Sequence, residues 1–508
     1  MDASNFKNYM LSIIFYRDLS ERTSREAALF LENEDSALQS YSAAWEDSDY
    51  REELSRYLLA KLGYVIEPEN LYSELVREAK LGANGGWHID RLTEAFNSLS
   101  NSTLGAESQD AFEGLFSSID LNSPSLGKTL KDKTELMGRI ILRIAAIDFH
   151  SSDVEIDLLG DAYEYLISKF ASDAGKKGGE FYTPQEVATL LAKTVASLRP
   201  ELKNVYDPTC GSGSLLFRVV RERAKDEANA EQLIQIHGQE LNIETFNLAR
   251  MNLILHNVPW QNFDVQNGDT LKEDLHEGET YDAIVANPPY STNWDRSDAK
   301  ATLLDPRFSP AGALAPPSKA DMAFVQHIVH HMAEDGVAAV VLPIGVLYRG
   351  AAEAKIRRWL IDANLVDAII GLPAGIFNAG VTTFVLVLKK GRKKKAKIRF
   401  IDASEDFIKT KQLNIVTQDS IDKILKHYVG DDKHPKGKDR EGYSKRVTRE
   451  EIEANDYSLQ LNLYVSKPIV SGLPSYDSVL SMIEVNALQL REKESSLRSM
   501  GLRIGVDS

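Results

Sequence analysis

A single cysteine, Cys210, stands in 508 residues, so the chain can form no internal disulfide, and usage this sparse fits a reducing compartment. Long apolar runs are also missing. None approaches the roughly 18 residues that cross a bilayer, and the segment Met10–Tyr16 is too short and too closely flanked by charge for a secretory signal. Together these absences predict a cytoplasmic protein with no membrane association. Basic residues are outnumbered: 59 Lys and Arg face 75 Asp and Glu, for a net charge of −16. The chain therefore lacks the cationic excess with which proteins neutralise nucleic-acid phosphates. Its densest basic run, Lys389–Lys397, lies between two strand-like segments and reads as a solvated hairpin turn, with contact to backbone phosphate as the alternative.

Hydrophobic residues make up 43% of the chain, enough for at least one large core, and the length suggests about three domains. Residues 1–150 read as a helical N-terminal domain without internal repeats, broken at Asn97–Ser102. Residues 151–400 alternate strand and helix patterns, the signature of a doubly wound α/β domain, with Thr382–Leu388 expected as an antiparallel edge strand. Residues 401–470 form a C-terminal extension. Residues 471–508 end the chain in a helix over Ser475–Leu502, whose Ile483, Leu490 and Leu497 recur every seven residues. A single apolar seam of that kind needs a covering surface, from another chain or from the N-terminal domain.

Four strand ends carry the chemistry. Asp282–Ala286 reads as a buried strand delivering Asn287, Pro288, Pro289 and Tyr290. Asn287 and a proline carbonyl can accept hydrogen bonds from an exocyclic NH2 group, and Tyr290 offers a face for a planar base turned out of a helix. A rigid Pro-Pro turn is the alternative for these four letters alone. Upstream, Lys203–Tyr206 runs into Asp207 and a loop with Gly211, Ser212, Gly213 and Ser214 before a helix. The glycines let the backbone bend and approach a ligand, and the helix N-terminus offers free N–H groups. A second strand ends in Glu240, where a doubly wound fold places a ribose-binding carboxylate. A third puts Asp269 at the same edge, suited to an adenine amino group. Three such ends followed by Asn-Pro-Pro-Tyr point to one nucleoside site; a solvated loop carboxylate remains the alternative for either acid taken singly.

With these residues in place, the chain resembles the amino-methylating, S-adenosylmethionine-dependent DNA methyltransferases, and most closely the modification subunit of type I restriction-modification systems. The segments Gly160–Leu166 and Gly178–Pro184 look like those that lead into that family's first cofactor motif, and the likeness runs from Phe6–Tyr9 to Asn455–Leu459. Family members often carry a further helix before the Phe-Lys-x-Tyr segment, so this chain is expected to start late.

The resemblance implies that the segment Glu180, Phe181, Tyr182, Thr183, Pro184, Gln185 and the loop from Asp207 to Ser214 hold the methionine part of S-adenosylmethionine. Thr183 and the loop amides would lie near its carboxylate and Asp207 near its ammonium. Glu240 would take the ribose hydroxyls and Asp269 the cofactor adenine. Asn287 and Pro288 would bind the adenine N6 amine in double-stranded DNA, with Tyr290 on one face of the flipped base and Phe377 a candidate for the other, although Gly375–Phe377 reads equally as a packed corner. The family also implies a specificity subunit that recognises the target, a restriction subunit in the full complex, and two modification subunits per specificity subunit. Cleavage would then belong to another subunit, because Gly127-Lys128-Thr129 lacks the first glycine of a phosphate-binding loop.

Three other readings stay open at this level: an N4-cytosine DNA methyltransferase, a protein glutamine methyltransferase, and a catalytically inactive scaffold. C5-cytosine chemistry is disfavoured, since its thiolate nucleophile would have to be Cys210 inside the glycine loop. His327, His330 and His331 read as a packed or solvated helix face rather than metal ligands, and Asp321 as a helix cap or cleft residue. The segment Ser291–Lys319, beside the motif, is expected to be a mobile lid or a binding loop that orders on DNA.

Overall fold

The computed structural model describes residues 3–33, 40–82, 86–148, 158–173, 183–224, 233–296, 298–377, 380–410, 413–430 and 437–466, with Leu480, Ser481, Ile483 and Glu484. Met1–Val465 forms one compact unit and Ser466–Ser508 a second. In the second unit Leu480, Ser481, Ile483 and Glu484 are helical, while Leu490 and Leu497 of the expected seam lie outside the described residues.

The first described segments are helical. The helix Ala3–Asn33 buries Phe15 and Tyr16 against Phe96 and Phe116, and the last two rings stack at 4.0 Å. The break expected at Asn97–Ser102 is absent: helix Asp90–Ser102 runs through it. Leu92, Ala95, Phe96 and Leu99 are buried at helical spacing, and that apolar stripe outweighs the weak helix preference of Ser and Asn. Arg250 ties this region to the sheet domain by donating to the carbonyls of Asp110 and Glu113 at 2.8 and 2.9 Å.

Among the described residues nine strands form one mixed sheet. We label β1 Asn204–Asp207, β2 Gln235–Glu240, β3 Phe263–Asn267, β4 Tyr281–Ala286, β5 Met332–Pro343, β6 Val366–Gly371, β7 Thr383–Lys389 and β8 Ile398–Asp402. The order runs from Ser444–Val447 through β8, β6, β7, β5, β4, β1 and β2 to β3. Strands β3, β2, β1, β4 and β5 are parallel, while β7 is antiparallel to both neighbours.

The antiparallel strand is thus present but interior, with the sheet edges at β3 and Ser444–Val447. Its residues Thr383–Leu388 are all buried, as a strand covered on both faces requires. The basic run is no hairpin either. It connects β7 to β8, which flank β6 on opposite sides, and its Arg392 is buried on Asp367 at 2.7 Å.

Side chains alternate across the sheet into two cores. Val205, Ile236, Ala283 and Val285 face one, while Tyr206, Ile284 and Ala286 face the other. Adjacent β1 and β4 mark the point where the chain, having wound outward through β2 and β3, turns back across the sheet. The crevice beyond the carboxyl ends of strands at such a switch is where doubly wound folds bind ligands.

Candidate active site

Beyond the ends of β1, β2, β3 and β4 lies a cavity of about 270 Å³. Thr183, Gly211, Ser212, Ser214, Glu240, Asp269, Asn287 and Pro289 line it together. Residues 204 to 289 place seven of these, because parallel strands in register bring successive strand ends to one edge: Val205 pairs with Ile236 on one side and Ala283 on the other.

The glycine loop is built from backbone geometry. Gly211 and Gly213 hold φ of 56° and 73°, in the left-handed region that glycine enters without strain. The Gly213 amide donates to the Cys210 carbonyl at 2.9 Å, closing the turn. Two contacts had no sequence signal: Asn252 donates to the Ser212 carbonyl at 3.0 Å, and the Thr270 hydroxyl donates to the Pro208 carbonyl at 2.6 Å. They fix the loop to helix Ile243–Leu255 and to the Asp269 segment.

Glu240 is buried, and its two oxygens accept from the amides of Gly211 at 3.0 Å and Asn242 at 2.8 Å. Burial raises its pKa against those hydrogen bonds. Asp207 lies wholly buried at the end of β1. Burial pushes it up to about 8, opposed by the Thr209 amide that donates to Oδ1 and reinforced by the charge of Glu240. Its Oδ2 has no hydrogen-bond partner among the described residues. A buried carboxylate oxygen left unpaired is costly, and a ligand ammonium is a group that would answer it, although Asp207 is not itself among the residues lining the cavity. Two cavity-lining acids at the ends of β2 and β3, an amide-rich glycine turn and this orphaned oxygen fit a nucleoside bearing an amino acid, which is the chemistry of S-adenosylmethionine.

Asn287 stands at the end of β4. Its amide nitrogen donates to the Thr183 hydroxyl at 3.1 Å, and its oxygen accepts from the Tyr290 hydroxyl at 2.6 Å. Pro288 is buried beneath. The Phe377 ring meets Tyr290 edge-on, with centroids 5.9 Å apart and planes at 87°, rather than facing it across a gap. Pro184 and Gln185 do not line the cavity. Gln185 begins helix Gln185–Leu198 and reaches Glu164 at 3.4 Å, a buried carboxylate that also pairs with Arg218 at 3.1 Å. Glu180, Phe181 and Tyr182 lie outside the described residues.

Asp321 neither caps its helix nor lines the cavity. Its Oδ1 accepts from the Ser291 amide at 2.9 Å, locking the residue after Tyr290 at φ 50°, and its Oδ2 pairs with Arg349 at 3.3 Å. The lid expected over Ser291–Lys319 is instead packed: it contains helix Ala299–Leu304, buries Trp294 and Phe308, and carries Thr292, Asn293 and Trp294 on the cavity wall. Aromatic anchors inside a polar stretch gave that segment its order. Cys210 packs against Gly238, where an added Cβ would lie 3.0 Å from its sulfur. Burial, with the charges of Glu240 and Asp207, holds its thiol well above the ordinary range. No helix among the described residues is long and apolar enough to cross a membrane.

Comparison with known proteins agrees with this geometry. The family model described as N-6 DNA methylase matches residues 154–471, and that described as the HsdM N-terminal domain matches residues 1–144. The chain is 37% identical to the type I restriction enzyme MpnII methylase subunit of Mycoplasma pneumoniae, over 92% of this chain and 86% of that protein. It is 32% identical to the MjaVII methylase subunit of Methanocaldococcus jannaschii, over 86% and 73% respectively. Among solved structures, the methyltransferase subunit of a type I restriction-modification system from Streptococcus thermophilus superposes with a TM-score of 0.81. Identity there is 38%, covering 92% of this chain and 96% of that one.

Proposed function

The chain belongs to the N-6 DNA methylase family, among the methylase subunits of type I restriction enzymes, and we propose that it transfers a methyl group from S-adenosylmethionine to adenine N6 in double-stranded DNA. The observation that carries this reading is the position of Asn287, which lines the same cavity as the glycine loop, Glu240 and Asp269.

When bound, S-adenosylmethionine supplies an electrophilic methyl group on a sulfonium. Thr183 and the loop amides would hold its carboxylate, Asp207 its ammonium, Glu240 its ribose hydroxyls and Asp269 its adenine. The protein's work on the acceptor needs no general base before attack. An adenine N6 lone pair is delocalised into the ring. Two acceptors drawing on the amine hydrogens, Asn287 Oδ1 and the Pro288 carbonyl, favour a pyramidal nitrogen whose lone pair can point into the cavity. Tyr290 covers one face of the flipped base. Phe377 covers the other after the present edge-on contact opens.

Target recognition falls to a specificity subunit, which accounts for a catalytic chain with net charge −16. Two modification subunits would serve each specificity subunit, with a restriction subunit completing the assembly in the cytoplasm. Within the chain, residues 1–150 would be the helical N-terminal domain, 151–400 the catalytic domain, 401–470 its extension, and 471–508 a helix for partner docking.

The test is transfer of radiolabelled methyl to host genomic DNA with and without the specificity subunit. Label in N6-methyladenine only with the partner is expected; label on cytosine, on protein or nowhere overturns the reading.

A further inference from the structure

We infer that His237, His276 and Glu279, with Asp264 completing the set, form a binding site for a divalent transition-metal ion of the zinc class, outside the cavity described above. The inference is independent of the methyl-transfer reading. His237 lies on β2, opposite Asp264 on β3 in the register, on the sheet face that carries Tyr206 and Tyr281. His276 and Glu279 lie in the connection from β3 to β4.

His276 is 1% exposed at its side chain. Its Nε2 lies 3.1 Å from the Gly238 carbonyl, which can only accept, so Nε2 carries a hydrogen and Nδ1 is the nitrogen left to bind. That Nδ1 is buried without a hydrogen-bond partner, and so is Nδ1 of His237. Carboxylates face both. Glu279 Oε2 lies 3.4 Å from His237 Nδ1 and 3.8 Å from His276 Nδ1, and Asp264 Oδ2 lies 3.6 Å from His276 Nδ1.

Separations of 3.4 to 3.8 Å exceed the roughly 2.7–3.2 Å of a hydrogen bond. They approach the spacing of neighbouring donors around one tetrahedral ion. Metal–ligand bonds of about 2.0–2.2 Å put such donors about 3.3–3.6 Å apart. Two neutral imidazoles and two carboxylates balance a divalent charge, and nitrogen with oxygen suits zinc and its neighbours. Further contacts orient the ligands, as outer partners do in metal sites. The Gly238 carbonyl holds His276, the Tyr281 hydroxyl donates to Glu279 at 2.6 Å, and Gln266 donates to Asp264 Oδ1 at 2.5 Å. Glu279 and Asp264 are 46% and 43% exposed at their side chains, which gives an ion access.

The neighbouring cluster of Asp274, His327 and His331 differs. Its imidazole nitrogens already meet Tyr206, Arg307, Asp274 and the Glu279 carbonyl, so it is a closed hydrogen-bond network. An ion at the first cluster would join β2, β3 and the connection bearing Asp269, Thr270 and Leu271 of the cavity wall.

The full chain, stripped with a chelator and dialysed, would be titrated with zinc chloride against a chromophoric competitor while its unfolding temperature is followed. One tightly held equivalent and a higher unfolding temperature are expected. The double variant Glu279→Gln, Asp264→Asn changes half-exposed side chains, so it should fold, and circular dichroism checks that it does. It should bind zinc at least about tenfold more weakly, the scale on which even outer-contact losses act. Cobalt(II) should give the visible absorption of a four-coordinate ion in the wild type only. A wild type that holds no equivalent, or a folded double variant that holds zinc as tightly, overturns the site.

Discussion

The Tyr290 hydroxyl donates to the Asn287 carboxamide oxygen at 2.6 Å, so the acceptor proposed for the target amine is already engaged by its own motif. An entering amine must either displace this bond or share the oxygen through its second lone pair. A neutral hydrogen bond contributes about 0.5–1.5 kcal/mol net, so its removal is worth at most about tenfold in affinity. Tyr290→Phe keeps the stacking face and frees the oxygen. It should bind target DNA no more weakly than the wild type in the specificity complex, and up to about tenfold more tightly, with methylation retained. Loss of activity in Tyr290→Phe would show instead that the hydroxyl works during transfer.

Asn287→Ala removes the acceptor itself. Loss of one preorganised polar contact to the reacting group costs about 10²–10³ in rate in other enzymes. Single-turnover methyl transfer should fall by that much, while calorimetry finds S-adenosylmethionine binding within a few-fold of wild type. Near-normal transfer would sink the role given to Asn287.

Cys210 shares the cavity wall with these residues, yet its thiol is held protonated by burial and by the charges of Glu240 and Asp207. Only a thiolate is an effective nucleophile. Iodoacetamide at neutral pH should therefore label the native protein far more slowly than the unfolded chain. Cys210→Ala should keep methyl transfer. Rapid alkylation of the native thiol would contradict the burial.

What was legible in the chain follows from how local its signals are. The ends of β1, β2, β3 and β4 could be read because each short strand-like run is closed within two residues by an acid or by Asn287, and parallel order brings those stops to one edge. β7 is interior rather than the edge strand expected, and Thr383–Leu388 has no polar alternation, the mark of a strand covered on both faces. Gly127-Lys128-Thr129 proved to end in a helix cap: Thr129 and Asp132 form a capping box for helix Leu130–Ala145. Contacts such as Asn252 with Ser212 or Arg392 with Asp367 join residues distant in sequence. Only the folded topology makes them neighbours.

Asp321 acts on the motif through the Ser291 amide rather than on substrate. Asp321→Asn keeps an acceptor there, while Asp321→Ala leaves a part-buried amide unpaired and a left-handed Ser291 unsupported. An unpaired donor costs about 1–3 kcal/mol when fully buried, and less at Ser291, which is exposed. Methyl transfer should drop in Asp321→Ala and be largely rescued in Asp321→Asn, with S-adenosylmethionine affinity moving little in either. Equal loss in both variants would assign the effect to the Arg349 ion pair instead.

Asp207 makes the stability of the cofactor-free protein depend on pH in a defined direction. Its folded-state pKa is pushed up to about 8, chiefly by burial, above the ordinary aspartate value of 3.8. Between those values the unfolded chain has released the proton and the native state keeps it, so the native state binds more protons and stability falls as pH rises. The fall should begin above about pH 4 and level off above about pH 8. Asp207→Asn is neutral at every pH and still offers an oxygen to the Thr209 amide, which donates to Oδ1 at 2.9 Å in the wild type. Unfolding temperatures measured from pH 5 to pH 9 should show a shallower decline in Asp207→Asn, with the variant more stable than the wild type at the alkaline end. Parallel curves for the two proteins would mean that Asp207 is ionised in the native state across the range. The orphaned Oδ2 would then already have a cationic partner.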